Sequence, residues 1–216
     1  MGKTVSFENL STAALVPGNI YKGGQRGNVG DDPFNKLLGV GNAGGIRPKK
    51  NQDNELAYVL LISNNSNQHE YPDCFDSSTN VLTYYGDQRK PNLDYLTTKQ
   101  RGNLNLENLF IDTHAGKTSN LFPCFYFQRV GSKGRDYKYI GLAYPFVNSK
   151  KNSKSYSLVK REVGEGVVQN LRFLFWIDDT STISRAWLDF LVTGQRARKV
   201  EAPESWNMKI SKSSNK

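Results

Sequence analysis

The sequence predicts an α+β fold, in which a mostly antiparallel sheet carries short helices packed against it. Strand-like runs fill the second half of the chain, and two of them flank a Gly-Ser-Lys-Gly turn as the strands of a hairpin would. Helical spacing of apolar residues occurs only in short segments. The 216 residues, of which 37% are apolar, are enough for one domain with a substantial core.

The first half of the chain predicts two short helices and two strands. Asp32, followed by proline, supplies an N-cap and a favourable first residue for a helix, which Gly39 ends. Residues 56–62 form a continuous apolar run, the pattern of a strand that is buried on both faces. Residues 81–85 predict a second strand, and residues 103–110 predict a helix because their apolar side chains recur at helical spacing.

The second half predicts four strands, at residues 122–130, 137–146, 156–163 and 167–177. In the last of these, alternation places four apolar side chains on one face: Leu171, Phe173, Phe175 and Ile177. Asn170, Arg172 and Trp176 fall on the other face. A strand with one apolar face indicates a sheet that packs against a core on that face.

A helix is predicted after the final strand, with Ser181 or Thr182 as its N-cap and Gly194 at its end. Its apolar stripe consists of Ile183, Trp187, Phe190 and Leu191. We assign both Trp187 and Trp176 to the core. Beyond this helix the composition becomes polar and basic, so we expect one domain over residues 1–195 and an unpacked linker over residues 196–216.

The charge of the chain indicates its class of partner. The formal net charge is +9, and 11 Phe and 11 Tyr accompany it, which favours nucleic acid over a membrane surface. No apolar stretch is long enough to span a bilayer, and the N-terminus lacks the pattern of a secretory signal. We therefore expect a cytoplasmic protein with no membrane partner.

The cysteines and histidines predict no metal site. Cys74, Cys124, His69 and His114 are the only residues of these two types, and their spacing matches no structural zinc pattern. We expect two reduced thiols, with Cys124 in the core because it sits in an apolar run. No cofactor is expected.

The most informative stretch combines tyrosines with acids in and around two neighbouring strands. Tyr71 and Asp73 lie in a loop, and Tyr84 and Tyr85 lie in the strand that follows it. A base taken out of a DNA duplex needs aromatic faces to replace its lost stacking and polar groups that match its Watson–Crick edge. A carboxylate accepts a hydrogen bond from the N4 amino group of cytosine. These residues therefore suggest a pocket for an extruded cytosine, although Tyr71 and Tyr84 taken alone are more typical of strand aromatics that pack into a core.

At these residues the sequence resembles the SRA (SET- and RING-associated) domains, with Thr83-Tyr84-Tyr85-Gly86 in the place of their Thr-Tyr-Thr-Gly motif. It resembles more closely the SRA-like N-terminal domains of bacterial modification-dependent restriction endonucleases of the MspJI and AspBHI type. The shared landmarks occur in order along the chain, at residues 21–24, 41–47, 85–91, 102–103, 134–136, 141–143 and 168–172.

The resemblance implies a fold, a ligand and a parent protein. The sheet should be strongly curved and barrel-like, and the domain should bind 5-methylcytosine or 5-hydroxymethylcytosine in double-stranded DNA by base flipping. Tyr71, Asp73, Tyr84 and Tyr85 would form the pocket. A catalytic nuclease domain would follow the linker in the parent protein, and this chain would carry no catalytic residues.

Two departures from the family pattern leave the pocket assignment open. The spacing between Asp73 and Tyr84 is longer than in the eukaryotic domains, so Asp76 is an alternative for the acid. Tyr71 stands where the bacterial group has Trp. Asp87, which follows Gly86, is as consistent with a turn as with a contact to the base.

Basic residues in loops around the proposed pocket are candidates for contacts to the DNA backbone or groove. They are Arg26, Arg47, Lys49, Lys50, Arg89 and Lys90. A solvated surface charge is the alternative for each of them.

Two other functions compete with this interpretation. A compact metal-dependent endonuclease would need a carboxylate cluster, and the sequence presents no recognisable one. A reader of phosphorothioate DNA or of modified RNA would depend on apolar and basic residues rather than on Asp73.

Overall fold

The computed structural model describes residues 2–64, 71–147, 155–194 and 201–213. Its strands are β1 (Thr4–Val5), β2 (Ile20–Tyr21), β3 (Ile46–Lys50), β4 (Leu56–Ser63), β5 (Cys74–Asp76), β6 (Val81–Tyr85), β7 (Cys124–Arg129), β8 (Tyr137–Pro145), β9 (Tyr156–Val163) and β10 (Gly166–Asp178). Its α-helices are α1 (Pro33–Leu38), α2 (Gly102–His114), α3 (Arg185–Thr193) and α4 (Glu204–Ser213). None of the described helices is long and apolar enough to cross a membrane.

The described strands form one sheet of ten, with the main path β3-β4-β7-β8-β10-β6-β5. Neighbours are antiparallel except for the pairs β4–β7 and β1–β2. The predicted α+β class and the mostly antiparallel sheet are therefore confirmed. The path begins at β3 and ends at β5, so the described strands form an open sheet rather than a closed barrel.

The sheet is nevertheless strongly curved, as predicted. Three strands separate β4 from β6 along the path. Even so, the hydroxyl of Tyr84 in β6 lies 3.3 Å from the backbone nitrogen of Ile62 in β4. A flat sheet would hold two such strands almost 20 Å apart, at about 4.8 Å for each step. The curvature thus brings the two ends of the path together.

Strand β4 has a core on each of its faces, which explains its uninterrupted apolar sequence. Leu60 and Ile62 belong to the cluster that the sheet forms with α1, α3 and α4. Val59 and Leu61 belong to a second cluster, on the side of α2. Each such side chain contributes roughly 1.5–3 kcal/mol to folding through burial.

The ends of α1 agree with the prediction. Asp32 accepts a hydrogen bond from the Phe34 backbone nitrogen, and Gly39 ends the helix in the left-handed conformation, at φ 61°. The predicted N-cap of α3 is wrong, because Ser184 caps that helix through the Trp187 backbone nitrogen. Ser181 is occupied elsewhere, since its backbone nitrogen donates to Asp178 in the preceding turn.

The two tryptophans assigned to the core behave differently. Trp187 is buried, as predicted, but Trp176 is 41% exposed on the outer face of β10. There its ring stacks on that of Tyr144, with ring centroids 6.0 Å apart. Asn170, which the alternation pattern placed on the same face as Trp176, is fully buried.

The expectation of an unpacked linker over residues 196–216 is wrong for the residues that form α4. Trp206 in this helix is only 8% exposed. Its ring lies 6.1 Å from the Tyr144 ring and 6.0 Å from the Trp187 ring. Ser205 accepts a hydrogen bond from the Tyr144 hydroxyl. Residues 196–200 and 214–216 of the expected linker lie outside the described residues.

Candidate functional site

A cavity of about 400 Å³ opens where the two ends of the sheet approach each other. Four segments line it: the loop that precedes β3, the end of β4, the segment that enters β5 and the end of β6. Tyr71, Asp73, Tyr84 and Tyr85 all contribute to its walls. The structure thus brings together four of the five residues that the sequence suggested for the pocket.

Asp73 bridges two strands at the wall of the cavity. Its Oδ1 accepts a hydrogen bond from the Tyr85 backbone nitrogen at 2.9 Å, and its Oδ2 accepts one from the Ser63 hydroxyl at 2.7 Å. Ser63 in turn accepts a hydrogen bond from the Tyr126 hydroxyl. These bonds fix the carboxylate in place at the wall of the cavity.

Tyr84 presents its hydroxyl to the cavity, whereas its ring lies in the core beside α2. The hydroxyl lies 3.3 Å from the Ile62 backbone nitrogen and 3.4 Å from the Ile62 carbonyl oxygen. Burial, followed by the charge of Asp73, raises the pKa of this phenol well above its usual 10. Tyr84 therefore stays neutral and forms the floor of the cavity rather than an aromatic wall.

The aromatic wall consists instead of Tyr71 and Tyr85. Their ring centroids are 5.2 Å apart and their planes are inclined by 35°. The guanidinium of Arg89 lies 5.6 Å from the Tyr71 ring centroid, a cation–π contact. Arg89 also lines the cavity, so it adds a positive charge at the edge of the aromatic wall.

Asp76, the alternative acid, lies away from the cavity. It occupies the far end of β5 and accepts hydrogen bonds from the hydroxyls of Ser78 and Thr79 in the following turn. These bonds lower its pKa to about 2. The ambiguity that the sequence left between the two acids is resolved by position: Asp73 lines the cavity and Asp76 shapes a turn.

A network of buried amides holds the wall that follows β6. Asn103 accepts a hydrogen bond from the Asp87 backbone nitrogen and donates one to Asn170, and Asn170 donates to the Gly86 carbonyl oxygen. Both asparagines are fully buried. A Cβ atom on Gly86 would lie 2.0 Å from the Asn103 side-chain oxygen, so this position requires glycine. The sequence did not predict these hydrogen bonds, although Gly86, Asn103 and Asn170 all lie in the stretches that resemble the family.

The structure contradicts the prediction that Arg47 contacts DNA. Arg47 is 4% exposed, and its Nη1 lies 2.9 Å from both carboxylate oxygens of Asp32. The same guanidinium donates to the carbonyl oxygens of Gly41 and Gly44. Arg47 is therefore part of a buried ion pair that holds the glycine-rich loop at the mouth of the cavity.

Lys49 and Lys50 also lie away from the cavity. Ile46 lines the cavity at the start of β3, and the two lysines lie three and four residues further along that strand. At about 3.3 Å per residue this is roughly 10–13 Å. Their ammonium groups donate to the Gly39 carbonyl oxygen and to the Asn54 side chain, respectively.

Arg26 and Lys90 are exposed on two of four connected loops, of which 41–45 and 86–101 line the cavity, whereas Arg26 lines a separate hollow. We define the rim as the loops of residues 22–31, 41–45, 86–101 and 130–136. Three hydrogen bonds join these loops: Gln100 Nε2 to the Ala43 carbonyl oxygen, Asn42 Nδ2 to the Val29 carbonyl oxygen, and the Gly23 backbone nitrogen to Asp136 Oδ1. The rim carries further cations that the sequence did not single out: Lys22, Lys99, Arg101, Lys133 and Arg135.

The thiols and acids of the described residues suggest no metal site. Cys124 is buried in the core, as predicted, and burial raises the pKa of its thiol. Cys74 is exposed. Within the described parts of the chain, no three His, Cys, Asp or Glu side chains are grouped so that they could hold a metal ion.

Comparison with known protein families decides the relationship of this chain. Residues 15–216 match the family described as the N-terminal part of the restriction endonuclease AspBHI. The chain belongs to this family. A search of curated protein sequences found no match.

Solved structures agree with membership of the AspBHI N-terminal family. The DNA recognition domain of the cytosine modification-dependent restriction endonuclease LpnPI is 31% identical, with a TM-score of 0.79 over 88% of this chain and 86% of that one. The DNA modification-dependent restriction endonuclease AspBHI is 27% identical, with a TM-score of 0.86 over 97% and 96% of the two chains. The restriction endonuclease MspJI, solved with an oligonucleotide, is 21% identical with a TM-score of 0.63, over 91% of this chain and 51% of that chain, and supports the fold alone.

Proposed function

We propose that this AspBHI-type domain recognises double-stranded DNA containing 5-methylcytosine or 5-hydroxymethylcytosine, and that it extrudes the modified base into the cavity beside Asp73. The observation that carries the proposal is the position of Asp73, a fixed carboxylate in a cavity with an aromatic wall. The names of the related LpnPI and AspBHI enzymes support a modified-DNA ligand.

The groups in the cavity match what an extruded cytosine needs. Asp73 accepts a hydrogen bond from the N4 amino group, and the Tyr71–Tyr85 wall replaces part of the stacking lost from the duplex. Stacking on an aromatic side chain contributes about 1–3 kcal/mol, and a hydrogen bond to a charged group about 1.5–3 kcal/mol. Together they offset an extrusion cost of a few kcal/mol.

The methyl group contributes less to the binding free energy than the rest of the base does. Ile46 and Ile62 supply apolar surface in the cavity. Burial of one methyl group contributes about 0.8 kcal/mol, or roughly fourfold in affinity. Discrimination beyond this factor must come from the shape of the cavity around the 5-position.

The rim supplies contacts that do not depend on the base. Arg26, Arg89 and Lys90 lie on loops of the rim, where they can reach phosphate oxygens while the base occupies the cavity. In this proposal the chain binds DNA in the cytoplasm and contributes no catalytic residue. Cleavage belongs to a nuclease domain elsewhere in the parent protein.

Competition binding tests the proposal. Matched duplexes with cytosine, 5-methylcytosine or 5-hydroxymethylcytosine at one position are compared at a fixed salt concentration, because salt dominates the absolute affinity. A fourth duplex carries a T·A pair at that position, because cytosine has the N4 amino group whether or not it is modified. We expect Asp73→Ala to reduce the preference for the 5-methylcytosine duplex over the T·A duplex at least about tenfold, since it removes the hydrogen bond between N4 and a charged group. The preference is a ratio measured on one protein sample, so partial unfolding cancels from it.

Asp76→Ala is the matched control, because Asp76 is the neighbouring acid outside the cavity. It should leave the preference unchanged. An Asp73→Ala variant that keeps the wild-type preference would overturn the proposal. A phosphorothioate duplex or an RNA that competes better than methylated DNA would do the same.

A further inference from the structure

A second carboxylate lines the cavity. Asp87, two residues beyond Tyr85, borders the same cavity as Asp73 and also an adjoining cavity of about 320 Å³. Its Oδ1 has essentially no contact with solvent and, among the described residues, accepts no hydrogen bond. Ionised carboxylate oxygens in this state are unfavourable, because neither water nor a donor balances the charge. The function proposed above leaves this group unused.

The charges around Asp87 are mostly cationic. Lys90 and Lys99 line the adjoining cavity together with it. Its own segment contributes Arg89, and β6 contributes the neutral phenol of Tyr84. Asp73 lines the same cavity from the entry to β5. Thr98 and Asn103, which donate hydrogen bonds from the rim and from α2, do not titrate. Burial raises the pKa of the Asp87 carboxyl, and the hydrogen bond from Thr98 is the largest of the opposing influences.

We propose that Asp87 is a second specificity-determining contact to the extruded cytosine, and that it acts in its neutral form. This inference rests on the proposed function. The O–H of a neutral carboxyl donates to the cytosine N3, and its carbonyl oxygen accepts from the N4 hydrogen beside N3. Asp73 then accepts the other N4 hydrogen. Rotation about the Cβ–Cγ bond of Asp87 presents either oxygen to the cavity, since this torsion is broad.

The two acids together favour binding of cytosine over binding of thymine. An ionised carboxylate has no proton to donate to N3, so two ionised acids would leave the N3 acceptor unsatisfied. A thymine offers no amino group to Asp73 and would place its O4 acceptor against that carboxylate. Recognition of both N3 and N4 of the cytosine therefore needs one ionised acid and one neutral acid in the same cavity.

The proposal predicts that base recognition depends on pH. The neutral form of Asp87 predominates at pH values below its raised pKa. The affinity for the modified site is therefore greatest at low pH and falls as the pH rises through that pKa. Loss of one proton limits the slope to about tenfold in Kd per pH unit. The pH also changes the binding of the protein to the DNA backbone. To remove this effect, each Kd is divided by the Kd for the same duplex with a T·A pair at the modified position.

The experiment measures this ratio with the full chain between about pH 5.5 and 8.5 at fixed ionic strength. Histidine side chains ordinarily titrate in this range, so all variants carry His69→Gln. With Asp87 intact the preference for the 5-methylcytosine duplex should weaken as pH rises. Asp87→Asn keeps a donor for N3 and an acceptor for N4 without titrating. It should therefore hold the low-pH preference across the whole range.

A second variant tests the same idea while Asp87 stays in place. Thr98→Val removes the hydrogen bond that favours the ionised carboxyl, so it should shift the pH profile to higher pH. A flat profile with Asp87 intact, an unaltered profile in Asp87→Asn, or an unshifted profile in Thr98→Val would each overturn the inference. If Asp73→Ala still abolishes the preference, the proposed function survives that failure. If neither acid matters, the proposed function fails as well.

Discussion

At the residue scale, Arg47 shows that burial decides the role of a cation. The segment Ile46–Lys50 carries three positive charges, and the sequence alone gives no reason to treat Arg47 differently from the two lysines. In the folded chain only the arginine points inward, where a planar guanidinium bonds Asp32 and two loop carbonyls at once. A residue expected to bind phosphate thus shapes the mouth of the cavity.

Arg47→Ala should therefore destabilise the domain. The Asp32 carboxylate has no solvent exposure, and after the substitution only Arg135, at 3.8 Å, remains as a cationic partner among the described residues. Loss of one partner of such a pair costs about 3–5 kcal/mol in the free energy of unfolding. Urea denaturation measures this cost, with Lys50→Ala as the exposed control that should change stability by less than about 0.5 kcal/mol. Equal effects of the two substitutions would show that the buried pair is not important for stability.

At the scale of secondary-structure elements, α4 is the clearest departure from the sequence prediction. Its polar and basic composition resembles that of a linker, and only Trp206 and the proline that precedes the helix indicate a packed element. Trp206 is surrounded by Tyr144 and Trp187, which come from β8 and α3. The contact joins residues that are distant in the chain, so local composition could not reveal it.

Trp206→Ala should undock α4 from the sheet. Truncation of a buried tryptophan costs about 3–5 kcal/mol in the free energy of unfolding when the whole domain unfolds together. If α4 undocks alone, hydrogen exchange should rise in α4 and spare β4. Met208→Ala is the control on the same helix, because Met208 is 48% exposed. Wild-type stability and wild-type exchange in Trp206→Ala would contradict the packing of this helix.

The sequence predicted those elements whose apolar residues recur with a regular spacing or whose ends carry cap residues. It did not predict features that depend on contacts with residues distant in the chain. Strand β4 and helix α1 follow from an apolar run and from the cap residues Asp32 and Gly39. The burial of Asn170 does not follow from alternation, because it depends on Asn103 in α2. The same holds for the site. The residue types expected around an extruded base predicted that Tyr71 and Asp73 line the cavity. The sequence could not show that the Tyr84 ring packs in the core, so that Tyr85 rather than Tyr84 forms the aromatic wall with Tyr71.

At the scale of the whole molecule, the cations that matter for DNA binding should be those on the rim. Each phosphate contact adds about 0.9 to the slope of log Kd against log salt concentration. Lys90→Ala, on the rim, should reduce this slope by about one. Lys50→Ala removes an equal charge at the far end of β3 and should leave the slope unchanged. Titrations at several salt concentrations measure the slopes, and identical slopes for the two variants would contradict the assignment of the rim.

The central claim is that a modified cytosine leaves the duplex and enters the cavity beside Asp73. The most direct measurement is the imino proton NMR signal of the guanine opposite the modified cytosine, labelled with ¹⁵N at that guanine alone. Base extrusion removes the pairing that protects this proton from exchange with water, so saturation with protein should abolish its signal. The signal of a guanine labelled three base pairs away should remain. Persistence of the signal opposite the modified base, in a fully bound duplex, would contradict the account.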